Sequence, residues 1–395
     1  MGVVSGQRED HDDHMSERDV AIVLSGGGMN GVLLELGFLK RLRTSSLWPR
    51  VGRIYGTSAG ALTGSMAALD LLDELEEFVL GLQPSDIFRP QSLWRLPLNG
   101  LHEYTLPATV EERMLDPLEL LGRRLAEAPT EVVIFATDVS DEEEASAHSY
   151  ELVYSSHETP PEILAQAVLA SAAISALVLP LKVGDRIATD GGWVRNFPLG
   201  AALEHPDVNL VVAFRYVPRY PHIGIASLAR VRRRLNRFRA VPPVRAFIAE
   251  LDEAEARELR GEPVHLGDML IRLMRVAIQR NTALEEQLAD ERDAAICELD
   301  ALRGDVTRIV TEHAIPGRRG RAARAVEARF AQTALPRHVP RITVRGSGGA
   351  ESLEAGFRTH REWSEESKRE LIARGYAAAD GELAAHDIDL MERAV

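Results

Sequence analysis

Short runs of β-branched and aliphatic residues, each passing through a glycine-bearing turn straight into a helical period, most narrow what this chain can fold into. Val20–Ser25 leads into Gly26-Gly27-Gly28-Met29-Asn30-Gly31, and then into Val32–Leu42, whose apolar residues recur at helical spacing. Val51–Tyr55 leads in the same way into Gly56-Thr57-Ser58-Ala59-Gly60 and the helix-like Ala61–Leu69. Val132–Asp138, Ser149–Tyr154, Val183–Thr189 and Asn209–Phe214 read as further strands, with the alanine-rich stretch Ile163–Leu181 as a helix among them. Strands alternating with helices predict an α/β domain with a largely parallel central sheet and helices on both faces. In such a domain the loops at one end of the sheet carry the chemistry.

Composition bounds the function. The chain has 395 residues, enough for a large catalytic domain with an extension, and its 45% hydrophobic and 27% charged residues are those of a globular protein. A net charge of -14 and only 5% aromatic residues argue against a nucleic-acid-binding body. The single cysteine, Cys297, rules out an internal disulfide and fits a reducing compartment. Met1–Asp19 is polar and acidic without an apolar signal core, so the expected location is cytoplasmic, with peripheral membrane contact as an option. Gly2 does not complete a myristoylation pattern, because Gly6 stands where Ser or Thr is needed. His11-Asp12-Asp13-His14 reads as a solvated tail, and no metal or cofactor is expected. Ile163–Leu181 carries no charge, but it is mostly alanine and flanked by Pro161 and Pro180, which predicts a buried helix instead of a membrane span.

Beyond residue 216 the strand pattern fades. Residues 216–245 hold eight arginines and no acidic residue, and Leu228, Val231, Leu235 and Phe238 are spaced for an amphipathic helix with a basic opposite face. Arg230, Arg233, Arg234 and Arg237 on that face suit an anionic membrane, or pairing with the chain's own acidic helices. Residues 268–303 read as one long helix with Leu270, Leu273, Leu284, Leu288, Leu299 and Leu302 on its apolar side. Asn281 and Glu291 interrupt that side, which predicts packing on the catalytic body over a coiled coil. The expected organisation is a flexible acidic tail over 1–18, a catalytic domain over 19–216 and a mainly α-helical region over 217–395.

Two glycine-rich turns hold the candidate chemistry. Ser58 lies on a cramped strand-to-helix turn that presents its hydroxyl, a candidate nucleophile. The loop Gly26–Gly31 lacks both the Gly-Lys-Ser/Thr of a P-loop and the spacing of a dinucleotide fingerprint, which leaves an oxyanion hole as its functional reading. Further on stand Ala170-Ser171-Ala172-Ala173-Ile174 and Asp190-Gly191-Gly192-Trp193-Val194-Arg195-Asn196-Phe197-Pro198. These four blocks, in this order, resemble the patatin-like lipid acyl hydrolase family over residues 19–215. The resemblance implies a three-layer α/β/α fold and a serine–aspartate dyad: Ser58 as nucleophile, Asp190 as base, the backbone of Gly26, Gly27 and Gly28 as oxyanion hole, with Gly31, Gly56, Gly60, Gly191 and Gly192 supporting the motifs. Two departures stand out. Asn30 occupies the place of the family's usual Arg or Lys after the glycines, and Ser175 that of a frequent Pro. His205 and His222 follow Asp190 in the order of a Ser–acid–His triad, but neither lies in a motif-like setting, and both are expected to be ordinary histidines, as are His148 and His157. The expected activity is hydrolysis of lipid acyl esters through an acyl-enzyme, with acyl transfer through the same serine, or a catalytically weak membrane scaffold, as the alternatives.

Overall fold

The computed structural model describes residues 18–90, 102–113, 118–141, 143, 150–174, 178–218, 232–233, 235–260, 262, 266–331, 336–348, 364–386 and 388. The tail motif at 11–14, His148, His222, Ser175, Arg230 and Arg234 lie outside the described residues.

The chain enters through strand β1 (Val20–Leu24), helix α1 (Gly28–Arg43), strand β2 (Val51–Thr57), and helices α2 (Ala59–Ala68), α3 (Leu72–Gly81) and α4 (Pro84–Ile87). A small hairpin, β3 (Phe88–Pro90) with β4 (His102–Tyr104), precedes α5 (Leu106–Arg113) and α6 (Leu118–Glu127). Then come β5 (Glu131–Asp138), β6 (Glu151–Ser155), α7 (Pro161–Ser171), β7 (Leu181–Val183), β8 (Arg186–Asp190), α8 (Gly192–Arg195), α9 (Leu199–Glu204) and β9 (Leu210–Tyr216). The remainder forms α10 (Pro242–Leu259), α11 (Leu266–His313), α12 (Arg319–Ala331), β10 (Arg341–Gly346) and α13 (Glu365–Ala385).

Strands β10, β9, β1, β2 and β5 lie side by side, all parallel, and β5 carries β6 and β8 antiparallel, with β7 beyond β8. Alternation along β1 shows why the sheet is central. Ile22 and Leu24 pack into a core with Leu33, Leu36 and Phe38 of α1 and Leu371 of α13. Ala21 and Val23 face the other way, onto Leu199 and Leu203 of α9 and Ala289 of α11. Both faces are buried, as a parallel sheet requires. The architecture is the expected α/β/α sandwich, followed by a largely helical region.

Several elements depart from the sequence reading. The helix expected over Ile163–Leu181 is only Pro161–Ser171. Val183–Thr189 is a hairpin, turning at Gly184 with φ 63°. Strand signals do not end at residue 216: β10 extends the central sheet from far down the chain, with only Ile342, Val344 and Gly346 buried along it. Ile342 and Val344 alternate with Thr343 and Arg345 as in a half-buried strand, a signal that the sequence reading passed over. Helix α13 then crosses α1 so closely that a Cβ on Gly37 would fall 2.0 Å from the Ile372 carbonyl oxygen, and one on Gly375 1.9 Å from that of Leu34. Lys368 of α13 is fully buried and donates to the carbonyls of Leu80 (2.9 Å) and Leu82 (2.5 Å), closing the end of α3.

The long helix α11 does lie on the α/β body, but with a different face from the one predicted. Leu273, Leu288 and Leu302 are 55%, 59% and 55% exposed, whereas Thr282, Ala289 and Ile296 are buried. Ala289 is one residue beyond Leu288, about 100° further round the helix. Among the described residues no helix is long and apolar enough to cross a membrane.

Candidate active site

Parallel strands β1 and β2 end at the same edge of the sheet, Leu24 in register with Gly56, so the turns that follow them meet there. Ser58 caps α2 with φ 54° and ψ -114°, a conformation that costs a non-glycine residue on the order of 1–3 kcal/mol. Gly28, at φ 56°, opens α1. The glycine loop touches the serine turn: a Cβ placed on Gly26 would lie 3.4 Å from Ser58 Cβ. Two helix N-termini thus converge, each bringing unpaired N–H groups and the positive end of its dipole.

The other half of the site arrives along β5. Phe135 is in register with Thr57 of β2, and the next residue, Ala136, with Asp190 of β8. Strand β6 covers the far edge of β5 at both positions, so β2 and β8 share the near edge and meet end to end. Their last side chains face each other. Ser58 Oγ donates to Asp190 Oδ2 at 2.9 Å, and Gly192 N–H donates to Asp190 Oδ1 at 2.6 Å. Ser58 and Asp190 are only 5% and 8% exposed. Burial, partly offset by the Gly192 and Ser58 hydrogen bonds, pushes the Asp190 carboxyl up to about 6.

The segment Ser171–Ala173, where α7 ends, holds both partners in place. Ser171 Oγ accepts from the Ser58 backbone N–H (2.9 Å) and donates to the Phe135 carbonyl (2.6 Å). The Ser171 and Ala173 carbonyls accept from the N–H groups of Gly191 and Asp190. The arrangement is a hydroxyl within reach of a buried base, beside a helix N-terminus.

Residues 22–203 match the model of the family described as patatin-like phospholipase. The chain carries a patatin-like domain. No curated protein matches the sequence. Among solved structures, VipD from Legionella pneumophila is similar at 14% identity and a TM-score of 0.44, over 94% of this chain and 67% of that one. The human GIVD cytosolic phospholipase A2 is similar at 12% identity and a TM-score of 0.33, over 51% of this chain and 46% of that one.

Within the patatin-like domain, two sequence-predicted residues, Gly26 and Asn30, differ from expectation, while His205 sits as the ordinary histidine the sequence predicts. The Gly26 N–H is already bonded to the Asn196 carbonyl at 2.9 Å, which leaves Gly27 and Gly28 at the mouth of α1. Asn30 is fully buried and donates through Nδ2 to the Tyr216 hydroxyl at 3.3 Å, so it serves the packing of α1 on β9. His205 lies before β9, at the opposite end of the parallel strands from Ser58, where its Nδ1 accepts from Asp207 N–H. It is too far away to complete a triad.

Of the basic segment, Arg232 pairs with Asp252 and Glu255, both at 2.8 Å, and Arg237 stacks its guanidinium over the Phe238 ring at 4.8 Å. Among the described residues, no three His, Cys, Asp or Glu side chains gather as metal ligands would. Sequence reasoning quoted Ser171 and Asn196 inside their blocks without a role. Ser171 ties the Ser58 backbone to that of Phe135 in β5, and Asn196 ties the Gly26 N–H to side chains of α11, partners far off in the chain that no local pattern marks.

Proposed function

We propose that the protein is a serine hydrolase of lipid acyl esters, with Ser58 as nucleophile and Asp190 as the base that activates it. The observation that carries this reading is the 2.9 Å hydrogen bond between the Ser58 hydroxyl and a buried carboxylate whose affinity for a proton is raised. A serine hydroxyl becomes an effective nucleophile only when a base within hydrogen-bond reach takes its proton. With a carboxyl held near 6, Asp190 is charged at neutral pH yet basic enough to accept that proton.

In the first step a bond forms between Ser58 Oγ and the acyl carbonyl carbon, and the proton passes to Asp190 Oδ2. The carbonyl oxygen becomes an oxyanion. The N–H groups of Gly27 and Gly28 and the N-terminal dipole of α1 receive that charge, and each such donor is typically worth about a hundredfold to a thousandfold in rate. Collapse expels the alcohol, which takes the proton from Asp190, and leaves the acyl group on Ser58. Water then gives a proton to Asp190 and attacks the acyl carbon, and collapse breaks the bond to Ser58 Oγ, which takes the proton back from Asp190 as the carboxylic acid leaves. Ser171 keeps the nucleophile's backbone in its strained turn throughout.

The test is hydrolysis of a panel of phospholipids and of a soluble nitrophenyl ester by the wild type, Ser58→Ala and Asp190→Asn, with labelling by a fluorophosphonate that reacts with activated serines. Both variants are expected to lose at least about a thousandfold in kcat, and Ser58→Ala to lose all labelling. Undiminished activity in Ser58→Ala would overturn the reading.

A further inference from the structure

We propose that Asn281, Thr282 and Glu285 of α11 are positioning residues for the Ser58–Asp190 reaction, acting through the short helix α8 and Asn196; the inference rests on the hydrolase reading above. Helix α8 has four residues, so it cannot satisfy its own C-terminal carbonyls, and those groups need partners from elsewhere. Three separate elements supply them. Asn281 Nδ2 donates to the carbonyls of Val194 and, at 3.3 Å, of Trp193. Thr57 Oγ1, immediately before the nucleophile, donates to the Arg195 carbonyl at 2.7 Å. The Gly26 N–H donates to the Asn196 carbonyl at 2.9 Å. The end of α8 is therefore the point where the serine turn, the glycine loop and α11 are tied together.

Asn196 is the knot. Its N–H donates to Asn281 Oδ1 at 3.0 Å, and its Nδ2 donates to Thr282 Oγ1 at 2.8 Å. The Thr282 hydroxyl is directed by its own bond to the Ile278 carbonyl, which leaves its lone pair for Asn196. So held, Asn196 Oδ1 lies where a Cβ on Gly26 would come within 2.2 Å of it and one on Gly192 within 3.0 Å. Gly192 is the residue whose N–H holds Asp190. One turn further along α11, Glu285 accepts from Arg195 Nη1 (2.9 Å) and from Gly200 N–H (3.1 Å), clamping the loop on its other side. Residues 281, 282 and 285 form one patch of a helix, and every side chain in it grips the stretch 193–200.

The chemistry makes such holding consequential. A displacement of about 1 Å in catalytic groups can cost on the order of a hundredfold in rate. Without the α11 patch, the part-buried carbonyls of Trp193 and Val194 lose their donor, and Asn196 loses two of the bonds that hold it beside Gly26 and Gly192. Substrate contact is not involved, so the effect falls on turnover and not on substrate affinity.

The test compares Thr282→Val, which keeps the shape and removes the oxygen, with Thr282→Ser, which keeps the oxygen, and with Asn281→Ala, in the full chain. For the soluble nitrophenyl ester, Thr282→Val and Asn281→Ala are expected to lower kcat at least tenfold with KM within twofold, and to slow fluorophosphonate labelling in parallel. Thr282→Ser is expected to restore both to within about threefold. Hydrogen exchange in the two impaired variants should accelerate at residues 190–198 while the protection of β1 and β2 is retained. Wild-type kcat and labelling rates in both impaired variants would overturn the inference while leaving the hydrolase reading standing; a wild type that neither hydrolyses esters nor takes the label would overturn both.

Discussion

Replacing Asp190 with Asn should destroy catalysis and at the same time stabilise the fold at neutral pH. In the folded protein the carboxyl titrates near 6 because burial disfavours its charge, against an ordinary 3.8. Between those two values the folded state binds more protons than the unfolded state, so stability falls as pH rises through that window. By pH 7 the ionised Asp190 costs about 3 kcal/mol relative to its protonated form. Asn has the same shape and no charge at any pH. Its Oδ1 can accept from Gly192 N–H, and its amide can donate to Ser58 Oγ. Urea unfolding of wild type and Asp190→Asn at pH 4, 5, 6, 7 and 8 should therefore show two curves that nearly coincide at pH 4 and separate by about 3 kcal/mol at pH 7 and above, the variant being the more stable. Ser58→Ala, which retains the buried carboxyl, should keep the wild-type pH dependence. The same proton sets the ascending limb of kcat/KM in the wild type, with a midpoint about 6. A variant that is no more stable than the wild type at pH 7, or a gap that does not close on acidification, would refute the assignment of a buried, charge-disfavouring site around Asp190.

Three further substitutions probe the frame. Ser58→Gly and Ser58→Ala both remove the hydroxyl, but only glycine relieves the φ of 54°, so Ser58→Gly should be the more stable by about 1 kcal/mol in urea unfolding, after its greater unfolded-state freedom is offset. Gly375→Ala places a methyl 1.9 Å from the Leu34 carbonyl oxygen and should destabilise by about 1–3 kcal/mol despite alanine's better helix propensity. Gly381→Ala, in the same helix with nothing within 4 Å of the added methyl, should instead gain up to about 1 kcal/mol.

What the sequence by itself determined is local. The β-branched run Val20–Leu24, the glycines after it and the helical period beyond them specify strand, loop and helix without help from the rest of the chain, and the pattern repeats around Ser58. The unbroken apolar run of β1 is that of a strand buried on both faces, whereas its place between β9 and β2 is set only by the fold. Even the pairing of Ser58 with Asp190, 132 residues apart, was legible, though only through the order of four blocks resembling a family.

The tertiary structure alone decided which polar groups are already committed. Gly26, Gly27 and Gly28 read identically in the sequence, yet the Asn196 carbonyl takes the N–H of the first. Asn30 looked like a missing cation and proves to be a buried partner of Tyr216. Asn281 looked like a flaw in an apolar helix face and proves to be the donor that completes α8. Strand β10 and helix α13, from the far end of the chain, complete the sheet and cover α1. The physical reason is common to all of these. Strand, turn and helix propensities act within a few residues, whereas a buried N–H or carbonyl is satisfied by whatever group the folded chain brings within about 3 Å, regardless of sequence distance.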